Sequence, residues 1–350
     1  MRLSICIATL NRGDFIGETL ASIVPQLADG VEVLVVDGGS RDETAEVVGQ
    51  FSTAHPGLRY VRLETNSGVD ADFDRAVELA KGKYCWLFAD DDVLAPDAVA
   101  TVLAELDEGE PDLLVVDSEV RDINLRRIFE RSRLKIGERR DYGPAGRDSF
   151  MTDAGDALSF IGCVIVRRSW WMQRERVRYY GSLFVHVGVI FQQPPPRHAR
   201  VLPRPLVRIR MGNAMWSSRS FEIWMFKWPD LIWSFPGYSD AAKAGAAVRE
   251  PWRNFMQLLG YRASGSFTRG EYRRFLAGRM RGREKLAAFL ILATPGPLAH
   301  LIVTTLAAIS RSRHGSALYN LLIASRNSNA ASRLIGRLVG HRVEARKRTI

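Results

Sequence analysis

Short apolar runs alternate with helix-like stretches through the first 116 residues. The runs are Leu3–Ala8, Val31–Val36, Leu58–Leu63, Tyr84–Phe88 and Leu113–Val116. Most are apolar on both faces, so each such strand must be covered on both sides. The stretches between them, Phe15–Gln26, Glu43–Phe51, Asp72–Ala80 and Pro96–Leu106, have the spacing of amphipathic helices. In the first, Phe15, Leu20, Ile23 and Val24 are expected on the buried side. Strand and helix in strict turn predict a parallel sheet with right-handed crossovers, an α/β fold. Such a sheet binds ligands beyond the carboxyl ends of its strands.

The unusual residues fall at those ends: Thr9, Asn11 and Arg12 after the first strand, Asp37, Gly38 and Gly39 after the second. Asn66 and Gly68 follow the third, and Asp90, Asp91 and Asp92 the fourth. Three adjacent carboxylates repel, and each resists leaving water unless a cation lies among them. Mg²⁺ or Mn²⁺ takes a few carboxylate oxygens and completes its shell with water and phosphate oxygens. The triplet therefore suits a diphosphate anchor, with an acidic helix-capping turn as the other explanation. Arg12 reads either as a site residue or as a solvated charge, and Gly38-Gly39 either as a site loop or as a tight turn. Asp42 or Ser40 suffices to cap the second helix, which leaves Asp37 for another role.

Taken together, these stretches resemble the inverting glycosyltransferases of family 2, which have the nucleotide-binding GT-A fold. The resemblance rests on Ile7-Ala8-Thr9-Leu10-Asn11-Arg12, Val35-Val36-Asp37-Gly38-Gly39-Ser40-Arg41-Asp42, Asn66-Ser67-Gly68, Ala80-Lys81-Gly82-Lys83-Tyr84 and the aspartate triplet, and covers about residues 1–115. Where many members carry Ala-Arg-Asn, this chain has Asp72-Phe73-Asp74. The combination of Gly68-Val69-Asp70-Ala71-Asp72 with Tyr84-Cys85-Trp86-Leu87-Phe88 looks more like the abequosyltransferase-type branch, which decorates bacterial surface polysaccharides. The resemblance implies that Thr9, Asn11, Arg12, Gly39, Asn66, Gly68 and Asp91 surround a nucleotide-sugar. It implies that Asp37 holds the base, with Asp72 as a second contact, and that Asp90 and Asp92 hold the metal.

An inverting transferase needs a base for the acceptor hydroxyl. Relatives commonly place an acidic pair about a hundred residues after the triplet, and this chain has none there. His186 stands at about that position, either as the base or as a hydrogen-bonded core histidine. Asp156 is the other candidate, either as the base or as a loop or cap residue. Phe160–Arg168 reads as a strand closing the acceptor side. Trp216, Trp224, Trp228 and Trp233 suit sugar stacking, a membrane interface or plain core packing.

Composition separates the ends of the chain. From Arg262 to Ile350 there are 17 Lys/Arg against three acidic residues, whereas the preceding 261 residues carry a net charge of −4. A basic tail on a mildly acidic body suits a phospholipid surface or a nucleic acid. Leu286–Ser310 has no charged residue, but Pro295-Gly296-Pro297 divides it. Basic residues on both flanks, Arg311 and Arg313 among them, predict a re-entrant or interfacial hairpin on the inner leaflet, with a soluble helix pair as the alternative. Arg326–Arg348 reads as a basic amphipathic helix. Cys6, Cys85 and Cys163 lie in apolar runs and suit buried thiols of a reducing compartment. The N-terminal run suits a strand and not a signal peptide.

The expected organisation is a GT-A catalytic domain over 1–212 (nucleotide half 1–115, acceptor half 116–212), an aromatic-rich helical segment over 213–283, and a membrane-associating tail over 284–350. The expected activity is metal-dependent transfer from a nucleotide-sugar to a lipid-linked or other glycan acceptor, at the cytoplasmic face of the inner membrane. No nucleic-acid partner is expected. Two rival functions are a nucleic-acid binder acting through the tail, which leaves the acidic rim unexplained, and a non-catalytic nucleotide-sugar scaffold.

Overall fold

The computed structural model describes residues 1–309 and 315–340. Its strands are β1 (Leu3–Thr9), β2 (Val31–Asp37), β3 (Leu58–Arg62), β4 (Tyr84–Phe88), β5 (Val93–Leu94), β6 (Leu113–Arg121), β7 (Ile128–Glu130), β8 (Arg140–Tyr142), β9 (Val164–Arg167) and β10 (Ala199–Arg210). The helices, in order, are α1 (Gly13–Ile23), α2 (Thr44–Ala54), α3 (Val69–Leu79), α4 (Ala98–Asp107), α5 (Arg147–Ala154), α6 (Arg168–Met172), α7 (Val185–Phe191), α8 (Ser220–Glu222), α9 (Trp228–Ser234), α10 (Asp240–Ala246), α11 (Phe255–Ser264), α12 (Arg269–Glu271), α13 (Gly282–Ala293), α14 (Gly296–Ile309), α15 (Gly315–Ala324) and α16 (Ala330–Leu338).

The sheet runs β3-β2-β1-β4-β9-β6-β10-β5, with β7 on β6 and β8 on β10. The first four strands are parallel, as their two-sided apolar pattern requires. β1, β2 and β4 are buried at every position. Beyond β4 the sheet turns antiparallel: Leu87 pairs with Val164 and Trp86 with Ile165. The chain divides into two compact units that interleave in sequence. One comprises Met1–Glu119, Arg131–Ile209 and Leu231–Ala247; the other comprises Val120–Glu130, Arg210–Asp230 and Val248–Ile350. The boundaries differ from three consecutive blocks because α10 returns to pack on α5.

Several local expectations shift. In α1 the buried side is Ile16, Thr19, Leu20 and Ile23. Phe15 is only half-buried and lies 5.5 Å beneath the Arg12 guanidinium. α2 starts at Thr44 with no side-chain cap; Asp42 instead accepts from the Thr44 and Gly13 amides. Only Val164–Arg167 of the 160–168 run is strand, because Phe160–Cys163 is taken up by tight turns. All three cysteines are free and buried. In the second unit, Trp224, Trp228 and Phe226 belong to an aromatic core around Phe221 and Phe267, whereas Trp216 is exposed. Trp233 donates to the Ala247 carbonyl at 2.9 Å. Packing therefore accounts for most of these tryptophans. Arg311, Arg313 and the end of the 326–348 helix lie outside the described residues.

Candidate active site

Parallel pairing brings the loop residues together. Thr9 is level with Asp37, and Ile7 with Phe88, so Thr9 and Asp90 leave adjacent strands at the same edge. Asn11 turns the chain back at φ 53°. Its side chain accepts from the Arg41 amide at 2.8 Å, and its own amide donates to Ser40 Oγ at 2.8 Å. These bonds tie the first loop to the second. Gly39 lies at φ 86°, and a Cβ there would meet the Leu63 carbonyl at 3.2 Å, so its place in the tight turn requires glycine.

Arg12 is the cation of the rim. It is buried, its amide donates to Thr44 Oγ1, and its guanidinium meets two aspartates. Nη2 donates to Asp91 Oδ2 at 3.0 Å, and Nε lies 3.3 Å from Asp90 Oδ1. One arginine does not neutralise the cluster. Burial, then the neighbouring Asp91, push the Asp90 carboxyl up to about 7 against the opposing pull of Arg12 and Thr9. Thr9 Oγ1 is buried with no hydrogen-bond partner in good geometry, although it lies close enough to Asp90 to favour the carboxylate. Asp92 is 2% exposed, and its carbonyl accepts from Thr19 Oγ1 at 2.7 Å. Asp90 and Asp91 therefore meet Arg12, Asp90 lies beside Thr9, and Asp92 is buried two residues on.

No group of three or more His, Cys, Asp or Glu among the described residues is arranged to hold a metal by itself. A magnesium-type ion takes only one or two carboxylates and draws its other ligands from water and substrate phosphate. Asp90, under-compensated and two residues before the buried Asp92, fits that half-site.

Asp37 is fully buried and nearly saturated. Oδ1 accepts from the Ser40 amide at 2.8 Å and its hydroxyl at 2.6 Å; Oδ2 accepts from the Tyr60 hydroxyl at 2.6 Å, with Arg62 Nε 4.0 Å away. Asp72 is the opposite case. It is 3% exposed, Oδ1 has no partner, and Oδ2 lies 3.0 Å from where a Cβ on Gly38 would stand, with Asn66 Oδ1 nearby. Burial first and then the Asp37 charge push Asp72 up to about 6. The two carboxylates are close enough to interact, but Asp72 Oδ1 is left without a partner. Asn66 Oδ1 also accepts from the Gly68 amide at 2.8 Å, which shapes the turn into α3.

The raised pKa makes a stability prediction. Below about pH 4 both folded and unfolded Asp72 hold the proton, and no penalty arises. As pH rises through 4 to 6 the unfolded chain releases its proton first, so the folded state loses stability. Above about 6 the cost is complete, about 1–2 kcal/mol once water at the open rim is allowed for. Asp72→Asn is therefore expected to melt higher at pH 8 but not at pH 4, while binding nucleoside diphosphate about tenfold more weakly. Thermal melts at the two pH values and calorimetric titration check both parts.

The acceptor-side residues divide differently. His186 is 2% exposed, Nε2 hydrogen-bonds the Leu158 carbonyl at 2.8 Å, and Nδ1 has no partner. Burial lowers its pKa to about 4, so it stays neutral and has the surroundings of a core histidine. Asp156 is exposed at the start of a short turn and makes no side-chain cap. Neither has the burial and charge partners of a tuned base.

Three groups missed by sequence reasoning also shape the rim. Asp70 accepts from the Leu183 and Val185 amides at 2.8 and 2.9 Å, which fixes the start of α7 beside α3. Glu119 accepts from Arg208 at 3.0 Å, and Arg208 is in register with Val93, next to the triplet. The expected strand stopped at Val116 because the polar Asp117, Ser118 and Glu119 that continue β6 carry no apolar pattern.

Residues 4–173 match the sequence profile described as Glycosyl transferase family 2. The chain is 28% identical over 226 residues to abequosyltransferase RfbV of Salmonella typhimurium, covering 61% of this chain and 68% of that one. It is 36% identical over 125 residues to a PGL/p-HBAD biosynthesis glycosyltransferase of Mycobacterium bovis, covering 35% and 49% of the two chains, so the match spans about half of that relative. Among solved structures, S. aureus TarS 1-349 in complex with UDP aligns with a TM-score of 0.52 at 16% identity, over 92% of this chain and 88% of that one. The mannosyltransferase PcManGT from Pyrobaculum calidifontis, in complex with GDP-Man and Mn²⁺, aligns with a TM-score of 0.53 at 16% identity, over 92% and 85%. At that identity the likeness is one of fold. With the strand-end rim, Arg12 among the aspartates and the profile match in agreement, residues 4–173 form a family 2 glycosyltransferase domain of GT-A fold, and the chain resembles the abequosyltransferase branch.

Proposed function

We propose that this glycosyltransferase is an inverting, divalent-metal-dependent enzyme of polysaccharide or glycolipid synthesis. It moves a sugar from a nucleoside diphosphate donor to a lipid-linked glycan at the cytoplasmic face of the membrane. The observation that carries the reading is Asp90 and Asp91 held against Arg12, with Asp90 beside Thr9 and pushed up to about 7 and Asp92 buried in the same turn.

Asp90 and Asp92 would hold Mg²⁺ or Mn²⁺, which neutralises the diphosphate as it leaves. Asp72 accepts from the nucleobase while Asp37, fixed by Ser40 and Tyr60, shapes the pocket wall. Arg12 keeps Asp90 and Asp91 in place before the donor arrives. Asp70 holds the start of α7 at the lip where an acceptor would enter. Among the carboxylates near the triplet, Glu119, paired with Arg208, is the candidate to receive the acceptor proton, since His186 and Asp156 lack the surroundings of a base.

The test is donor hydrolysis with a panel of nucleoside diphosphate sugars, with Mn²⁺, Mg²⁺ or EDTA. Release of nucleoside diphosphate that ceases on chelation and returns with Mn²⁺ is the expected result. Full turnover in EDTA would refute the metal role. Donor binding without turnover under every condition would favour the scaffold, and steep salt-dependent DNA or RNA binding would favour the nucleic-acid reading.

A further inference from the structure

Three helices of the second unit, α13, α14 and α16, are patterned inside out. In α13, Leu286, Phe289 and Leu290 share one stripe and are 61–63% exposed, while the small Ala288 lies on the buried side with Leu292. In α14, Leu298, Ile302, Leu306 and Ile309 recur at helical spacing and are all exposed. The opposite side buries His300 and Thr304 completely. His300 Nε2 meets the Leu321 carbonyl at 3.1 Å, and Thr304 Oγ1 lies 3.4 Å from His300 Nδ1. In α16, Ser332 and Gly336 are buried while Leu334 and Leu338 face out, Leu338 at 78% exposure. A Cβ on Gly336 would stand 2.5 Å from Leu322 Cδ1, so the small residue is needed for that close packing.

A helix bordered by water puts its leucines inside and its polar groups outside. Here α13, α14 and α16 do the reverse, while α15 between them buries Leu318, Tyr319 and Leu322, and the inward polar groups find partners within the protein. That is the arrangement expected where the outside is not water. No single helix among the described residues is long and apolar enough to cross a bilayer. α13 and α14 pass only as a pair, and they bend by 104° at their junction. A bent pair of this kind suits lying in the interface.

Charge selects the occupant. Arg279, Arg281, Arg283 and Lys285 are exposed just before or within the first turn of α13, and Arg333 and Arg337 flank the leucines of α16. Glu284 is the single acidic residue among them, and it pairs with Arg253. A basic margin around an apolar face attracts an anionic lipid headgroup layer and repels a second copy bearing the same margin.

We propose that the outward faces of α13, α14 and α16 are a monotopic docking surface for an anionic phospholipid bilayer. It inserts Phe289, Ile302 and Leu338 among the acyl chains while Arg281, Arg283 and Lys285 stay with the headgroups. The inference rests on the reading above only in giving the membrane a reason, access to a lipid-borne acceptor.

Flotation of the full chain with phosphatidylcholine vesicles, with and without phosphatidylglycerol, tests it. The wild type is expected to float with the anionic vesicles and to be released by salt. Phe289→Glu/Ile302→Glu is expected to bind at least about tenfold more weakly, with unchanged melting temperature and unchanged hydrolysis of soluble donor. Arg281→Gln/Arg283→Gln/Lys285→Gln is expected to lose the preference for phosphatidylglycerol. Wild-type protein that fails to float, or a Phe289→Glu/Ile302→Glu variant that floats as well as the parent, would overturn the proposal. So would a stable dimer in detergent-free buffer that this variant converts to monomer without vesicle binding by the parent. Absent donor turnover with flotation intact would instead count against the enzymatic reading alone.

Discussion

Asp92→Asn is expected to lower donor turnover by about a thousandfold, and Asp90→Asn by a similar factor. An interaction realised as the diphosphate leaves is worth several kcal/mol of barrier, and about 1.4 kcal/mol is tenfold. Asp92 is buried at the rim, and the carboxylate and amide are nearly isosteric, so the loss should come without unfolding. Residual activity should no longer respond to EDTA, and added Mn²⁺ should not restore it. Asp90→Asn should also raise the melting temperature above neutral pH. It removes a carboxyl that burial and Asp91 already hold against ionising. Turnover, chelation and melting curves measured on the same samples check the set. Activity retained to within tenfold in both variants would remove these residues from the reaction.

Arg12→Ala should act mainly on stability. The guanidinium lies 3.3 Å from Asp90 and 3.0 Å from Asp91, and all three side chains are largely buried. Deleting one partner of a buried ion cluster leaves uncompensated charge and typically costs about 3–5 kcal/mol. The loss is expected to be greatest above pH 7, where Asp90 is ionised, and to shrink as the pH falls and Asp90 regains its proton. Mn²⁺ with nucleoside diphosphate should recover part of the melting temperature by supplying the missing positive charge. Arg12→Lys should lie between, because an ammonium cannot span two carboxylates with one rigid fork. Denaturant midpoints with and without ligand give the comparison.

The parallel half of the fold was legible because its strands carry a two-sided apolar pattern that few other structures satisfy. The rim was legible for the same reason: once β1, β2 and β4 are parallel neighbours, Thr9, Asp37 and Asp90 must emerge at one edge. The antiparallel half was less so. β9 has only four residues and β5 two, and their partners lie far along the chain, so local pattern says little about their pairing. His186 shows a different limit. Its position suited a base, but the Leu158 carbonyl and the surrounding core that determine its chemistry come from tertiary packing. Asp72 was expected as a second nucleotide contact from the resemblance, while its departure from the pattern of similar sequences left its partner open. Its open acceptors depend on Gly38 lacking a side chain, which only the folded turn reveals. In the second unit the bent hairpin was legible from Pro295-Gly296-Pro297. The inverted faces were not, because periodicity says which residues share a side but not which side is turned inward.

The return of residues 231–247 to the first unit bears on how this protein can be shortened. Gly245 lies against Thr152, and the side chain of Ala246 against Gly155, so α10 is part of the wall that supports α5. Ending the polypeptide after residue 212 would strip that wall and leave apolar surface open to aggregation. Ending it after Ala247 keeps the wall but strands 120–130 and 210–230 without their companions. Solubility is therefore better sought by replacing outward leucines one at a time than by cutting.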